Sequence, residues 1–394
     1  MKDLSWVEVS KKAIKYNIKN LSSLTRKRVK FMAVVKSNAY GHGMIDFAQC
    51  ASEYGVDYLG VVSIEEALKL RRSGITKPIV VLGYVLPERA IDAQENNIEI
   101  AVISPEHAVA LINSKFKPTL KVHIKVETGI NRMGILKKNI LSVFKELSKT
   151  KKIEIVGLYS HLASVEENNL DYTADQFKEF GEIVEILAKY NFKVPHKHIA
   201  ASGASLILPE SHFDIVRCGI SCYGLWPSEE NKKNFYAEAD ADTPRPFLKP
   251  ALSYKTRIIQ IKEVQSGYIG YGCTYRITRV KKIAIIPIGY YDGFDRGLSC
   301  SSINKTDGDN EYGCGEVLIA GKRCQVLGRV CMNMTIVDVS KINSREINIG
   351  DEVVIIGRQG KEKITPEEVA NKLDTINYEV ITRIPEHITR IYKS

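Results

Sequence analysis

The sequence has no long uncharged apolar run. Nothing in it approaches the roughly 20 residues that span a bilayer, and the opening MKDLSWVEVS has no apolar signal core. A membrane-spanning helix and a secretory leader are therefore not expected, and the chain reads as cytoplasmic. There is no CxxC pair among the eight cysteines, at 50, 218, 222, 273, 300, 314, 324 and 331. Spread this way in a long chain, they read as reduced thiols rather than a disulfide framework. Cys300 and Cys314 bracket a polar loop and are the one pair weighed as a bridge, but they too read as reduced. There is no GxxxxGK phosphate loop, no internal repeat and no clustered histidine set with metal-ligand spacing, so no metal is expected. His196 and His198 read as strand residues. A basic arm is also missing. The net charge of +10 is scattered, with only small clusters at 26–28 and 151–152. That argues against nucleic-acid partners and leaves anionic small molecules as ligands.

What remains is a soluble globular composition, 44% hydrophobic and 26% charged over 394 residues. That length exceeds one average core and implies two domains. From residue 31 to about 225, short β-branched runs at 31–35, 58–62, 78–82, 99–102, 120–126, 154–159, 196–200 and 214–217 alternate with helical patterns such as 64–72, 87–96, 105–113 and 174–190. A helix at 11–24 precedes the first run. Eight strands alternating with helices predict an α/β fold, a (β/α)8 TIM-type barrel. Near 240 the character changes. The stretch 237–247 reads as a linker, and runs at 251–262, 281–288, 315–319, 335–339 and 351–356, with a short helix at 366–373, predict a mostly-β domain. The domains are thus placed at 1–240 and 241–394. The segment 301–315 is polar and rich in turn residues, and reads as an exposed loop.

Barrels of this kind carry their chemistry at the C-terminal ends of the strands. Five of the eight predicted ends are polar: Lys36 after the first, Lys125 closing the fifth, His161 after the sixth, His198 and Ser202 around the seventh, and Arg217 ending the eighth. A lysine in an apolar setting loses hydration, and its neutral amine becomes accessible as a base or nucleophile, as pyridoxal phosphate chemistry requires. Ser202, Gly219 and Ile220 offer hydroxyl and backbone N–H groups to a phosphate. Taken alone, Ser202 and Gly219 read rather as a helix cap and a turn.

Eight segments carry a more specific likeness: AVVKSNAYGHG (33–43), HIKVETGINRMG (123–134), GLYSHLAS (157–164), RCGISCYGLWPS (217–228), GYGCTY (270–275), IPIGYYDGFDRGLS (286–299), GRVCMNM (328–334) and TINYEV (375–380). In their order and spacing the sequence resembles the alanine racemases, fold-type III enzymes dependent on pyridoxal 5'-phosphate, over essentially its whole length. The resemblance implies a barrel followed by a β-domain and a homodimer with shared active sites. It also implies interconversion of L- and D-alanine, which supplies a peptidoglycan precursor. Lys36 matches the lysine that carries the cofactor and serves as one base. Tyr271 matches the second base, given by the partner subunit to the opposite face of the substrate. Arg217 matches the arginine facing the cofactor ring nitrogen, and His161 a histidine beside it. Tyr40, Ser202, Gly219, Ile220 and Tyr378 match phosphate or pocket contacts, and Leu82 is placed there by its strand position. Arg132 matches a residue reaching the cofactor phenolic oxygen and the substrate carboxylate, and Met332 one whose backbone N–H reaches that carboxylate. Arg296, Arg329, Ile376, Tyr290 and Tyr378 match an entry corridor. Lys125 matches a lysine often carbamylated, whose anionic carbamate would hold Arg132.

Two positions depart from the family's commoner pattern. Ala201 stands where asparagine is frequent, which removes one phosphate contact. Asn333 stands where aspartate is frequent, which removes a nearby anion and eases ionisation of Tyr271. The loop 301–315 is longer than usual. Competing readings are a serine or broad-specificity racemase, a decarboxylase of the same architecture and a barrel-only cofactor carrier. The bulk of Tyr378 favours alanine. The second base and the β-domain disfavour the other two.

Overall fold

The computed structural model describes residues 3–117, 119–237, 247–302 and 313–394. Most of the expected linker (238–246), including the boundary placed at 240, and most of the polar loop (303–312) lie outside the described residues. Packing divides the chain into two compact units. One comprises Lys12–Ala39 and Met44–Pro250. The other comprises Ala251–Ser394 with the N-terminal segment through Lys11 and the short piece Tyr40–Gly43.

The first unit is built on an eight-stranded parallel sheet: Lys30–Val34, Tyr58–Val61, Ile79–Val81, Ile98–Val102, Leu120–Lys125, Ile153–Tyr159, His196–His198 and Ile215–Cys218. Each of the first six strands pairs with the next in sequence, and the first also pairs with the last. The ring closes between the last two strands. Asp214 N–H donates to the Lys197 carbonyl and Arg217 N–H to that of Ala200, each at 3.0 Å. All eight expected strands are present, displaced by no more than a few residues. They run parallel because helices return the chain to the same end each time, and buried on both faces they carry continuous apolar runs such as Ile79–Val81. The helix Ile64–Arg72 shows how firmly local sequence sets these returns. The Ser63 hydroxyl accepts from the Glu66 N–H, Glu65 and Glu66 occupy the first turn, and Lys69, Arg71 and Arg72 the last. Pro105–Asn113 starts in the same way on Ser104. The expected helix 87–96 is a 3-10 turn, Pro87–Arg89, running into Ala90–Glu95.

The second unit holds a seven-stranded sheet in the order Lys322–Gln325, Glu316–Ile319, Glu352–Gln359, Leu252–Arg257, Trp6–Ser10, Thr389–Lys393, with Glu362–Ile364 paired to Glu352–Gln359. A three-stranded sheet joins Gln260–Val264, Lys281–Ile286 and Thr335–Asp338. The single strand expected over 251–262 is two strands. Ile258 N–H still bonds the first sheet, at Asp351, while Ile259 N–H already bonds the second, at Ile285. The strand Trp6–Ser10 was not expected. It inserts between Leu252–Arg257, antiparallel, and Thr389–Lys393, parallel. Its partners lie hundreds of residues away, and a five-residue run leaves no local trace of them.

The cysteines need one correction. Cys300 and Cys314 are joined by a disulfide, with Cα atoms 4.7 Å apart. Gly315 N–H donates to the Leu298 carbonyl at 2.8 Å, so the chain returns beside itself and sets the two thiols face to face. Cys50, Cys218, Cys222, Cys273, Cys324 and Cys331 take part in no disulfide among the described residues.

Trp6 is fully buried in its sheet, and the Arg257 guanidinium lies over its ring at 4.9 Å. Trp6→Ala should destabilise the protein by about 3–5 kcal/mol, read from denaturant unfolding. A loss under about 1 kcal/mol, the scale of an ordinary surface change, would show that this strand is peripheral to folding.

Candidate active site

Lys36 lies two residues past the end of the first barrel strand and opens an unusual turn. Ser37, Asn38, Ala39 and Tyr40 have φ of 54°, 53°, 51° and 51°, a left-handed helical turn with no glycine in it. Each L-residue in that region costs roughly 1–2 kcal/mol. The turn persists because its surroundings hold it. Ala39 N–H donates to the Val35 carbonyl at 3.0 Å, Ser37 N–H to Glu66 Oε1 at 2.7 Å, and Met44 N–H to Asn38 Oδ1 at 2.9 Å. Gly41 follows at φ 83°, where a Cβ would lie 2.1 Å from the Ile381 carbonyl oxygen, so no other residue fits. Strain held this way sits next to function more often than elsewhere. The sequence drew attention to the glycines at 41 and 43, yet the reversal begins four residues before the first of them.

Around Lys36 the first unit gathers cations. Burial, then the charge of Arg132, lowers the Lys36 pKa. Lys125 is buried, and its pKa falls from 10.5 to about 8 through burial first, then Arg132 and Arg217. His161 is held far below its usual range by burial and by Arg217, Arg132, Lys125 and Lys36. The acids that act on these lysines, Glu66 and Glu127, are engaged elsewhere. Glu66 accepts from the Ser37 and Val62 N–H groups, and Glu127 from those of Gly129 and Arg132. The arrangement has positive charge to spare and suits an anionic ligand.

Arg217 is buried inside the barrel. Its guanidinium donates to the carbonyls of Ser160 (2.8 Å) and Ile199 (3.0 Å), to His198 Nδ1 (3.0 Å) and, more weakly, to His161 Nδ1 (3.4 Å). Burial lowers its pKa to about 10, so it keeps its proton near neutrality. Nearby, Ser202 Oγ accepts from the N–H groups of Gly219 (2.9 Å) and Ser221 (3.5 Å). Ser202 is therefore no helix cap: it opens Ser202–Ile207 and faces the turn at 219–221. Ser221 Oγ is buried and has no hydrogen-bond partner among the described residues. Leu82, expected at the pocket, packs against the cluster of Met32, Tyr58, Val80 and Ile215, and its carbonyl accepts from Tyr159 Oη at 2.8 Å.

In the second unit, Tyr271, Tyr290, Arg296, Arg329, Val330, Cys331 and Met332 line one open concavity. Five of these were expected at the site, and Val330 and Cys331 were not. Tyr271 lies in a short 3-10 turn after the hairpin strand Gly267–Ile269 and is 71% exposed, and Met332 is 54% exposed. Arg329 stacks over that turn, so that a Cβ on Gly272 would sit 2.8 Å from its Nη1. Tyr290 and Tyr291 donate their N–H groups to the carbonyls of Cys331 and Met332. Tyr40 and Tyr378 also meet in this unit, with ring centroids 6.2 Å apart. Ile376 is exposed.

The family model of the alanine racemase N-terminal domain matches residues 9–227, and that of the alanine racemase C-terminal domain matches 251–392. The chain belongs to the alanine racemase family. The alanine racemase of Methanococcus maripaludis is 39% identical over 391 residues, covering 98% of each chain. That of Leptospira interrogans is 38% identical over 397 residues, covering 99% of this chain and 97% of that one. Among solved structures, the alanine racemase from Bacillus anthracis with bound L-Ala-P is similar with a TM-score of 0.89 and 35% identity, over 100% of this chain and 96% of that one. This family's barrel and β-domain are the two units seen here.

Three residues of the barrel site escaped sequence reasoning: Tyr159, Ser160 and Ser221. All three lie inside quoted motifs, two positions or fewer from a residue that was picked, which was the available signal.

Lys125 yields a test of the buried charge. The folded chain binds its proton less tightly, at about 8, than the ordinary 10.5 of an unfolded lysine. The group therefore opposes folding in full below about pH 8, less as pH rises, and not at all above 10.5. In cofactor-free protein and CO2-free buffer, Lys125→Met should be more stable than the parent at neutral pH and should lose that advantage above pH 10.5. An advantage independent of pH would contradict the assignment.

Proposed function

We propose that this chain racemises alanine with pyridoxal 5'-phosphate, acting as a cytoplasmic homodimer. The observation that carries the reading is the half-buried Lys36 amine, its proton affinity lowered, in a barrel that also buries the Arg217 guanidinium and the Ser202 and Ser221 hydroxyls. The cofactor fits the residues present. Ser202, Gly219, Ile220 and the Ser221 hydroxyl offer a phosphate its donors, Leu82 adds apolar lining, and Tyr40 and Tyr378, whose rings meet within the second unit, match the family's cofactor contacts. The cation surplus awaits an anion.

Bound there, pyridoxal phosphate supplies a ring that withdraws electrons and acidifies the Cα–H of an attached amino acid. The chain does the rest. Lys36 Nζ holds the cofactor and exchanges a proton on one face of Cα, and Tyr271 Oη does so on the other. Arg217 has only donors, so it hydrogen-bonds a ring nitrogen without surrendering its own proton, and that limits the electron withdrawal and favours simple proton return. Neutral His161 packs beside it. Arg132 and the Met332 N–H take the substrate carboxylate, while Arg296 and Arg329, with Tyr290 and Ile376, draw it in by charge and frame the approach. Tyr271 is exposed in the single chain and acts only once another surface covers it, which supports donation to a partner subunit. The bulk of Tyr378, half-buried against Tyr40, favours alanine over serine.

Holoenzyme incubated with L-alanine or L-serine in deuterated water, followed by chiral analysis, should give Cα-deuterated D-alanine, and less D-serine. No racemised alanine overturns the reading. Tyr271→Phe should slow exchange from one enantiomer by about 10²–10⁴ and from the other much less, whereas equal losses would contradict two bases. Lys125, with its pKa at about 8, offers a neutral amine to CO2 near neutrality. With ¹³C-bicarbonate the parent should show a carbamate resonance that is missing in Lys125→Arg; a parent without that resonance refutes the modification.

A further inference from the structure

Arg217 is the near end of a longer chain of buried groups. His198 Nδ1 receives its guanidinium at 3.0 Å, His198 Nε2 lies 2.9 Å from His123 Nδ1, and His123 Nε2 lies 2.7 Å from Glu99 Oε2. All four side chains are buried. They sit on the barrel strands Ile215–Cys218, His196–His198, Leu120–Lys125 and Ile98–Val102.

The path has to cross the strand Ile153–Tyr159, which separates His123 from His198 in the sheet. It crosses at Gly157, where a Cβ would lie 2.0 Å from His123 Nδ1. The pairing register slips at that point: Val122 faces Ile155 but His123 faces Gly157. The slip and the missing side chain together let one imidazole reach the other. Tyr159, two residues on, stacks flat on His198, with centroids 5.0 Å apart and planes 3° apart, and is tied to the Leu82 carbonyl. The crossing is a built feature.

The direction of every hydrogen bond follows from the ends. Arg217 can only donate, so His198 Nδ1 must accept. His198 is neutral, since burial and then Arg217 hold its pKa far below the usual range. Its proton is therefore on Nε2 and points to His123 Nδ1, which leaves His123 Nε2–H to donate to Glu99. We propose that Glu99, through His123 and His198, orders the two tautomers so that a lone pair always faces Arg217, making the three a positioning unit for that guanidinium. With the order reversed, His198 would turn an N–H toward an N–H of Arg217, and the guanidinium would swing away. The proposal rests on the reading that Arg217 faces the cofactor ring, and it adds what keeps Arg217 there.

The test is ¹⁵N NMR of the histidine-labelled, cofactor-free chain, which reads tautomers whether or not the protein racemises anything. Both His198 and His123 should be protonated at Nε2 and bare at Nδ1; Nδ1–H on either ring overturns the proposal outright. Glu99→Leu removes the final acceptor and should scramble the order, with kcat of the holoenzyme falling about 10- to 100-fold and KM changing little. Glu99→Gln, whose amide oxygen still accepts from His123, should restore both the tautomers and most of kcat. A folded Glu99→Leu with parental tautomers and kcat also refutes the relay. A parent that shows the tautomer order yet racemises nothing would leave the relay standing and discard the catalytic reading instead.

Discussion

Buried positive charge is the constraint on which the barrel site depends. Lys36, Lys125 and Arg217 are wholly or partly withdrawn from water, which lowers each one's hold on its proton; the charge of Arg132 lowers it further at both lysines, and those of Arg217 and Lys36 at Lys125. In water such a cluster would disperse. Here it cannot, because each member is fixed near a strand end by a ring of backbone hydrogen bonds that does not depend on charge. The acids that might neutralise it are spent on backbone N–H groups. The arrangement is therefore poised for an anionic ligand and tolerable without one only because the barrel is stable.

Three local devices make that poise possible. The left-handed turn after Lys36 sends the chain sharply away from the strand end, at a conformational cost met by bonds from Glu66 and Asn38. The turn at 219–221 points two N–H groups at one hydroxyl and leaves a second hydroxyl with no hydrogen-bond partner among the described residues. The slipped register at Gly157 lets two histidines meet across a strand. Each departs from ideal geometry, and each lies beside a residue to which we assign chemistry.

Much of this was legible in advance. The eight barrel strands are legible because parallel strands buried on both faces carry unbroken β-branched runs, and the helices at 64–72 and 105–113 because helical patterns alternate with those runs. The motifs located Lys36, Arg217 and Ser202 at the barrel, and Tyr271, Arg329 and Met332 on the second unit's concavity. Other features were not legible. Trp6–Ser10 finds its sheet through partners more than two hundred residues away. The 251–262 run divides because successive residues bond different sheets. Cys300 and Cys314 pair because Gly315 returns to Leu298, a contact that the spacing of the cysteines does not encode.

By itself, the sequence determined the family, the alternation that makes the barrel, and the residue types able to hold a phosphate, donate to a ring nitrogen and move a proton. Those follow from periodicity, caps and motif order, which are properties of neighbours along the chain. Only the tertiary structure decided which neutral and charged groups share a dielectric. It made Lys125 a weak base, left the Ser221 hydroxyl without a hydrogen-bond partner among the described residues, and joined Glu99 to Arg217 through two imidazoles. Burial and hydrogen-bond direction are set by what stands across the barrel, and residues 99, 123, 198 and 217 become neighbours only when the ring closes.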